Sequence, residues 1–256
     1  MDDTGVTVKI PETVRRIVSL VPSLTESVAA TVPEALVGAT DWCSHPADLD
    51  VTRVRGTKNP DLDAIRSLAP DVVLANAEEN RAPDIEALRE SGIPVWVTRI
   101  ETLDQAFVSL DRMFREACRT GRPEWLDAAE KAWRTPVEGA GRTPAEGARR
   151  TAVVPIWRRP WMVVGRDTFT GDVLRRLGVD NLYAGHAERY PKIPLPELVE
   201  RRPDLVVLPD EPYAFSETDG PECFPGLACA LVSGRLLTWY GPSLVEAPAL
   251  LRQALG

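Results

Sequence analysis

The sequence predicts an α/β protein of two lobes, each built on a parallel sheet, joined by one long bridging α-helix. Three observations predict it. One phrase occurs twice: Ile65–Ala75 reads IRSLAPDVVLA and Leu198–Pro209 reads LVERRPDLVVLP, in each case a helix end, then Pro-Asp, then a nearly unbroken apolar run. Short apolar runs alternate with helical stretches along both halves, the pattern of strands buried on both faces of a parallel sheet. Leu103, Ala106, Phe107, Leu110, Met113, Phe114 and Ala117 recur at i, i+3, i+4, i+7 spacing, the stripe of one amphipathic helix. Two further pairs flank the repeated phrase: RRIVSLVPS at Arg15 with RRTAVVPIW at Arg149, and SGIPVWVTR at Ser91 with SGRLLTWYG at Ser233.

In chain order, Arg16–Leu20 reads as a strand and Ser23 with Glu26 as a capping box opening a helix to about Thr31. Leu36–Thr40 is a strand, Asp41–Pro46 a loop, Leu62–Leu68 a helix, Val72–Ala75 a strand and Ala77–Asn80 a loop. Ala82–Glu90 is a helix closed by Gly92, and Val95–Thr98 a strand. The long helix opens on a Thr102–Gln105 capping box and stops at Gly121; over eighteen residues it would span about 27 Å. Trp125–Trp133 is a second helical piece, and Thr135–Ala148, rich in Gly, Pro and Ala, a linker. The second lobe follows: strand Ala152–Ile156, a loop or hairpin over Trp157–Asp167, helix Thr170–Leu177 closed by Gly178, helix Leu195–Arg201, strand Leu205–Leu208, a proline-rich loop to Phe224, strand Arg235–Thr238 and a closing helix Ala247–Ala254. The domains are therefore expected at 1–100, 101–148 and 149–256.

The 256 residues carry a net charge of −8, which speaks against a nucleic-acid partner. No apolar run of eighteen residues exists, so no insertion into a membrane is expected. The start, MDDTGVTVKIPETVRR, has neither a basic n-region nor an apolar h-region. As written, the chain is expected in the cytoplasm, and in the periplasm or at the cell surface if an export segment was trimmed. Four scattered cysteines form no CxxC pair; whether Cys223 and Cys229 bridge a loop is left open. A glycine-rich phosphate loop, GxGxxG and GxSxG are all missing, and two histidines are too few for a dedicated metal site, so neither an enzyme nor a metal centre is expected.

In open α/β sheets ligands sit beyond the carboxyl ends of the strands. The loops there bring forward Ser23, Trp42, His45, Lys58, Glu78, Trp157, Trp161, Tyr213, Trp239 and Tyr240 as ligand-binding candidates. Indole rings in a groove between two lobes suit a large flat ligand, because they stack well and lose little entropy. Ser23 is also sufficiently explained as a helix cap, His45 as a loop imidazole, and Lys58 with Glu78, Glu79 and Asn80 as a solvated rim. Trp96, Trp125 and Trp133 are expected in the core.

The stretches RIVSLVPSLTE, LVGATDWCSHP, RVRGTKNPDLDAIRSLAPDVVLAN, ESGIPVWV, the helix from Thr102 and RRPDLVVLPDE, in this order and spacing, resemble the class III, helical-backbone substrate-binding proteins of ABC importers. The resemblance implies two Rossmann-like lobes on a rigid connecting helix. It also implies a bound cobalamin, haem or ferric siderophore, held as ligand with no required cofactor. In the cobalamin binders aromatic side chains from both lobes hold the corrin; carried over, these fall at or near Trp42, Trp161 and Trp239. Lys58 and Glu78 depart from the aromatic pattern. The resemblance further implies docking on an ABC permease through one carboxylate per lobe, at Asp63 and Glu197. Two other readings remain at this point: a cytoplasmic corrinoid-handling enzyme using Glu79 or Asp167 as acid or base, and a protein-interaction module.

Overall fold

The computed structural model describes residues 1–134 and 149–256, so the expected linker at 135–148 lies outside the described residues. The chain divides into two compact units. One comprises Met1–Ile100, Asp104–Ala128 and Tyr240–Pro242, the other Glu101–Leu103, Ala129–Trp239 and Ser243–Gly256.

The first unit contains β1 (Ile17–Ser19), α1 (Pro22–Ala29), β2 (Leu36–Ala39), β3 (Thr52–Arg53), the small antiparallel pair β4 (Arg55–Gly56) and β5 (Asn59–Pro60), α2 (Leu62–Ser67), β6 (Val72–Asn76), α3 (Ala82–Glu90) and β7 (Val95–Thr98). Its main sheet is parallel throughout, in the order β3-β2-β1-β6-β7. There follow α4 (Leu103–Arg112), which runs on through a widened π turn to Ala117, and α5 (Glu124–Arg134). The second unit contains β8 (Arg150–Val153), the hairpin β9 (Pro155–Trp157) with β10 (Met162–Val163), α6 (Phe169–Arg176), β11 (Val179–Asn181), α7 (Leu195–Glu200), β12 (Leu205–Pro209), β13 (Cys229–Val232), α8 (Gly234–Thr238) and α9 (Ala247–Leu255). Its main sheet is again parallel, in the order β11-β8-β12-β13. The expected α/β fold with two parallel-sheet lobes is the observed one.

The repeated phrase has a structural reason. In both copies the helix ends, one residue takes a left-handed backbone (Ala69, φ 42°; Arg202, φ 45°), and Pro-Asp leads into a fully buried strand. The aspartate then clamps the start of the lobe's first strand. Asp71 Oδ2 accepts from the amides of Arg15 and Arg16 (2.8 and 2.9 Å), and Asp204 Oδ2 from the amide and hydroxyl of Thr151 (both 2.7 Å). Those bonds hold the Asp204 carboxyl below the usual carboxylate range.

Four local expectations are corrected. Helix α1 has no Ser23–Glu26 capping box: Pro22, preset in φ and lacking an N–H, takes the first helical position, which moves the cap to Val21 and Ser23 into the buried first turn. The helix from Leu103 ends at Ala117 rather than Gly121. Arg119 takes the left-handed turn (φ 58°), its guanidinium donating to the carbonyls of Ile10 and Pro11. Arg235–Thr238 is helix, not strand; the strand paired with β12 is Cys229–Val232. Ser91-Gly92 closes a helix, whereas Ser233-Gly234 opens one, with the Gly234 amide donating to Asp210 Oδ1 (2.6 Å), so this flanking pair was matched out of phase. Finally, Cys223 and Cys229 are both free thiols.

Each unit has its own apolar core. In the first, Val18, Leu20, Val73, Ala75, Val95 and Val97 from the sheet meet Ile65, Ile85 and Leu88 from the helices. In the second, Val153, Val206 and Leu208 meet Leu198, Phe215 and Phe224. Trp96 is fully buried, while Trp125 and Trp133 are part-buried helix residues whose indole N–H groups donate to Thr31 Oγ1 and the Leu244 carbonyl (both 3.0 Å).

Candidate functional site

In the first lobe the strand order reverses between β1 and β6, since the chain runs from β1 outward to β2 on one side and later to β6 on the other. This is the switch point where open α/β sheets hold ligands. Two asparagines build it. Asn76 Oδ1 accepts from the amides of Glu78 and Glu79 (2.9 and 3.2 Å), while its Nδ2 donates to the Thr98 carbonyl and hydroxyl (both 3.1 Å). Asn80 Oδ1 accepts from the Asn76 amide (2.9 Å), and its Nδ2 donates to the carbonyls of Leu20 (3.2 Å) and Thr57 (3.0 Å). The ends of β1, β6 and β7 and the β4–β5 turn are thereby tied together. Lys58, on that turn, donates to the Glu78 carbonyl. Burial pushes the Glu79 carboxyl above the usual glutamate range, against the opposing pull of Lys58.

Beyond β2, the loop from Thr40 to Leu49 is stapled by Arg53, whose guanidinium donates to the carbonyls of Thr40, Cys43 and Leu49 (3.0, 2.9 and 3.3 Å). The buried Cys43 sulfur sits 3.0 Å from Thr25 Oγ1 and 3.1 Å from Thr40 Oγ1, and burial pushes its thiol up. With its base fixed, the loop leaves Trp42 68% exposed and His45 half-buried beside Ser44 (3.1 Å).

In the second lobe the corresponding reversal lies between β8 and β12. The β9–β10 hairpin follows β8, and the loop 210–224 follows β12. Their rings form one cluster. Trp161 stacks on Phe215 (centroids 6.0 Å, 10°) and meets Phe224 edge-on (5.4 Å); Tyr213 packs on Phe215 (4.7 Å) and meets Trp157 edge-on (5.7 Å). Arg158 locks hairpin to loop: it pairs with Asp219 and with Glu222 (2.7 Å), donates to Cys223 Sγ (3.2 Å) and lies over the Trp161 ring at 5.6 Å. The hydrogen bond from Arg158 lowers the Glu222 carboxyl to about 2. Tyr213 OH donates to Asp219 Oδ2 (2.7 Å), and Trp157 remains 43% exposed.

The structure thus brings Ser23, Trp42, His45, Lys58, Glu78 and Tyr240 into the first lobe, and Trp157, Trp161, Tyr213 and Trp239 into the second. Ser23 is buried, and Gly241, next to Tyr240, lies so close to α1 that a Cβ there would be 2.9 Å from Ser27 Oγ. Trp239 and Tyr240 are each only 7% exposed. Trp239 follows helix α8, so the premise that placed it beyond a strand fails. Asp63 stands 92% exposed in the first turn of α2, paired with Arg66 (2.7 Å). Glu197, in the first turn of α7, accepts from Tyr183 OH (3.3 Å) and faces Arg201 (3.8 Å). Asn76 and Arg158 were missed in the sequence, where an asparagine ending a strand and an arginine among arginines carry no signal of their partners. A depression of about 330 Å³ at the start of α6, lined by Gly165, Asp167, Thr168 and Asp172 among others, contains none of the ligand-binding candidates, only the Asp167 of the enzyme reading. Among the described residues, no cluster of His, Cys, Asp and Glu could hold a metal ion, and no helix is long and apolar enough to cross a membrane.

The sequence profile of the periplasmic binding protein family matches residues 17–220. A vitamin B12-binding protein of Vibrio parahaemolyticus is 21% identical over 197 residues, covering 76% of this chain and 70% of its own. Among solved structures, the periplasmic vitamin B12 binding protein of Vibrio cholerae superposes with a TM-score of 0.76 at 16% identity, covering 94% of this chain and 96% of that one. A periplasmic heme binding protein from Pseudomonas aeruginosa does so with a TM-score of 0.77 at 22% identity, covering 94% and 92%. At these identities the solved structures share the fold. The family and these relatives are solute-binding proteins, not enzymes, and the two-lobed chain with parallel sheets and aromatic carboxyl-end loops belongs to the periplasmic binding protein family.

Proposed function

We propose that this chain binds a flat, ring-shaped metal complex, a corrinoid such as cobalamin first and haem or a ferric siderophore next, as the substrate-binding component of an ABC importer working outside the cytoplasmic membrane. One observation carries the reading. Among the described residues the large aromatic side chains left exposed are Trp42 and Trp157, the first on the loop that follows β2 and the second at the end of β9 in the hairpin that follows β8. An indole held in water by a stapled loop exposes apolar area that a ring-shaped guest would cover, at about 25 cal/mol per Å². The names of the relatives, vitamin B12-binding and heme-binding, support that chemistry. Asp63 and Glu197, on the helices preceding the two Pro-Asp strands, are proposed as the permease contacts, with Asp63 the more available of the two.

The test is titration of the purified protein with cyanocobalamin, hemin and a ferric siderophore, followed by tryptophan emission and by the visible bands of the ligand. Saturable quenching with a one-to-one endpoint is expected for one of them. Emission unchanged by all three, once corrected for ligand absorption, overturns the proposal.

A further inference from the structure

The switch point of the first lobe holds a polar joint with no counterpart in simple aromatic stacking. The Asn80 carboxamide is buried, and its bonds reach three separate segments: the Leu20 carbonyl at the end of β1, the Thr57 carbonyl in the β4–β5 turn, and the Asn76 amide at the end of β6. Thr57 carries Lys58, and Asn76 in turn fixes the amides of Glu78 and Glu79. Lys58 closes the ring by donating to the Glu78 carbonyl. An ammonium on a four-carbon stem is ordinarily mobile, and so costs entropy when it binds. Here the carbonyl of the preceding Thr57 and one of the three ammonium N–H groups are committed before any ligand arrives.

Resting on the function proposed above, we propose that Asn80 is the positioning residue of the first-lobe half of the site. It presets Lys58 and the 78–79 turn, so that Lys58 selects ligands with hydrogen-bond acceptors, carboxylate or amide, on their periphery. Asn80 touches no ligand itself; it acts through Lys58. Preorganisation of this kind raises affinity by removing ordering that binding would otherwise require.

The experiment is a double-mutant cycle on the whole chain, with Asn80→Ala, Lys58→Met and the double variant, read as Kd for hemin and for cyanocobalamin alongside Tm. For whichever probe the wild type binds, each single change is expected to weaken binding by roughly 5- to 20-fold, and the double change by no more than the larger single one, because the two residues form one device. A joint that merely stabilises the lobe would lower Tm in Asn80→Ala, leave Kd near wild type, and let the Lys58→Met effect multiply with it unchanged; that result overturns the inference. Asn80→Ser, which keeps one donor, guards against loss of folding and should give an intermediate Kd. On the unaltered protein, hydrogen exchange should show the Glu78 and Glu79 amides protected without ligand, and exchange at open-chain rates overturns the preset turn. A wild type that binds neither of these probes nor a ferric siderophore overturns the proposed function together with this role for Asn80, one that binds the siderophore alone is read in the same cycle with that probe, and a binding wild type with multiplicative Kd effects overturns the role alone.

Discussion

Replacing Asp172 by alanine tests how helix α4 is held at its start. The Asp172 side chain, 8% exposed, accepts three hydrogen bonds, from the Leu103 amide (2.9 Å), Arg175 (2.7 Å) and Arg176 (3.0 Å). Arg175 is 62% exposed, so its pair contributes only about 0–1 kcal/mol. The less exposed Arg176 adds about 1 kcal/mol. The Leu103 amide is one of the donors a helix start leaves without an internal partner, and stripping its buried charged acceptor costs about 1–2 kcal/mol. The total is about 2–4 kcal/mol, which at about 2–4 °C per kcal/mol predicts a fall in Tm of roughly 4–16 °C. Burial works to raise the Asp172 pKa, but the bonds from Leu103, Arg175 and Arg176 outweigh it and leave the carboxyl below its usual range. A depressed pKa contributes stability that is full above the unfolded value of about 3.9 and is lost as pH falls through the folded one. The gap between wild type and Asp172→Ala should therefore stay constant from pH 7 to about 5 and narrow below about 4. Thermal unfolding by circular dichroism at pH 7, 5 and 3 measures it. A variant melting within 1 °C of wild type at pH 7, or a gap that widens on acidification, would refute the reasoning.

Three further outcomes are expected. Gly165→Ala should destabilise by about 3 kcal/mol or more, because a Cβ there would run into the Glu188 carbonyl and stand 2.9 Å from the Arg189 carbonyl oxygen, both backbone; urea unfolding measures it. Glu79→Gln should raise Tm at pH 7–8 and lose that advantage below about pH 4, because a carboxyl whose pKa is raised by burial penalises the folded state only where it must ionise; a melting series across pH checks it. Trp157→Ala should weaken ligand binding by about 1–3 kcal/mol with little change in Tm, since the ring is half in water, whereas Trp161→Ala should lower both, since Trp161 also packs on Phe215 and Phe224; titration and thermal unfolding side by side separate them.

The amino-acid sequence by itself determined the architecture. Apolar runs such as VVLA and LVVL are too continuous for a half-exposed strand, and their repetition behind Pro-Asp required two parallel sheets built alike. It also brought forward Trp42 and Trp157, because strand ends can be located from local pattern and ligand loops follow them. Tertiary structure decided what local pattern does not encode. Ser-Gly reads the same whether it closes α3 or opens α8, and only the bond from Gly234 to Asp210, 24 positions away, tells them apart. Asn80 read as one more polar residue on a rim, and became a buried joint because Leu20 and Thr57 are brought to it by the sheet. Periodicity is a property of neighbours along the chain, whereas the partners that finish a buried amide or guanidinium lie tens of residues away and exist only once the chain has folded.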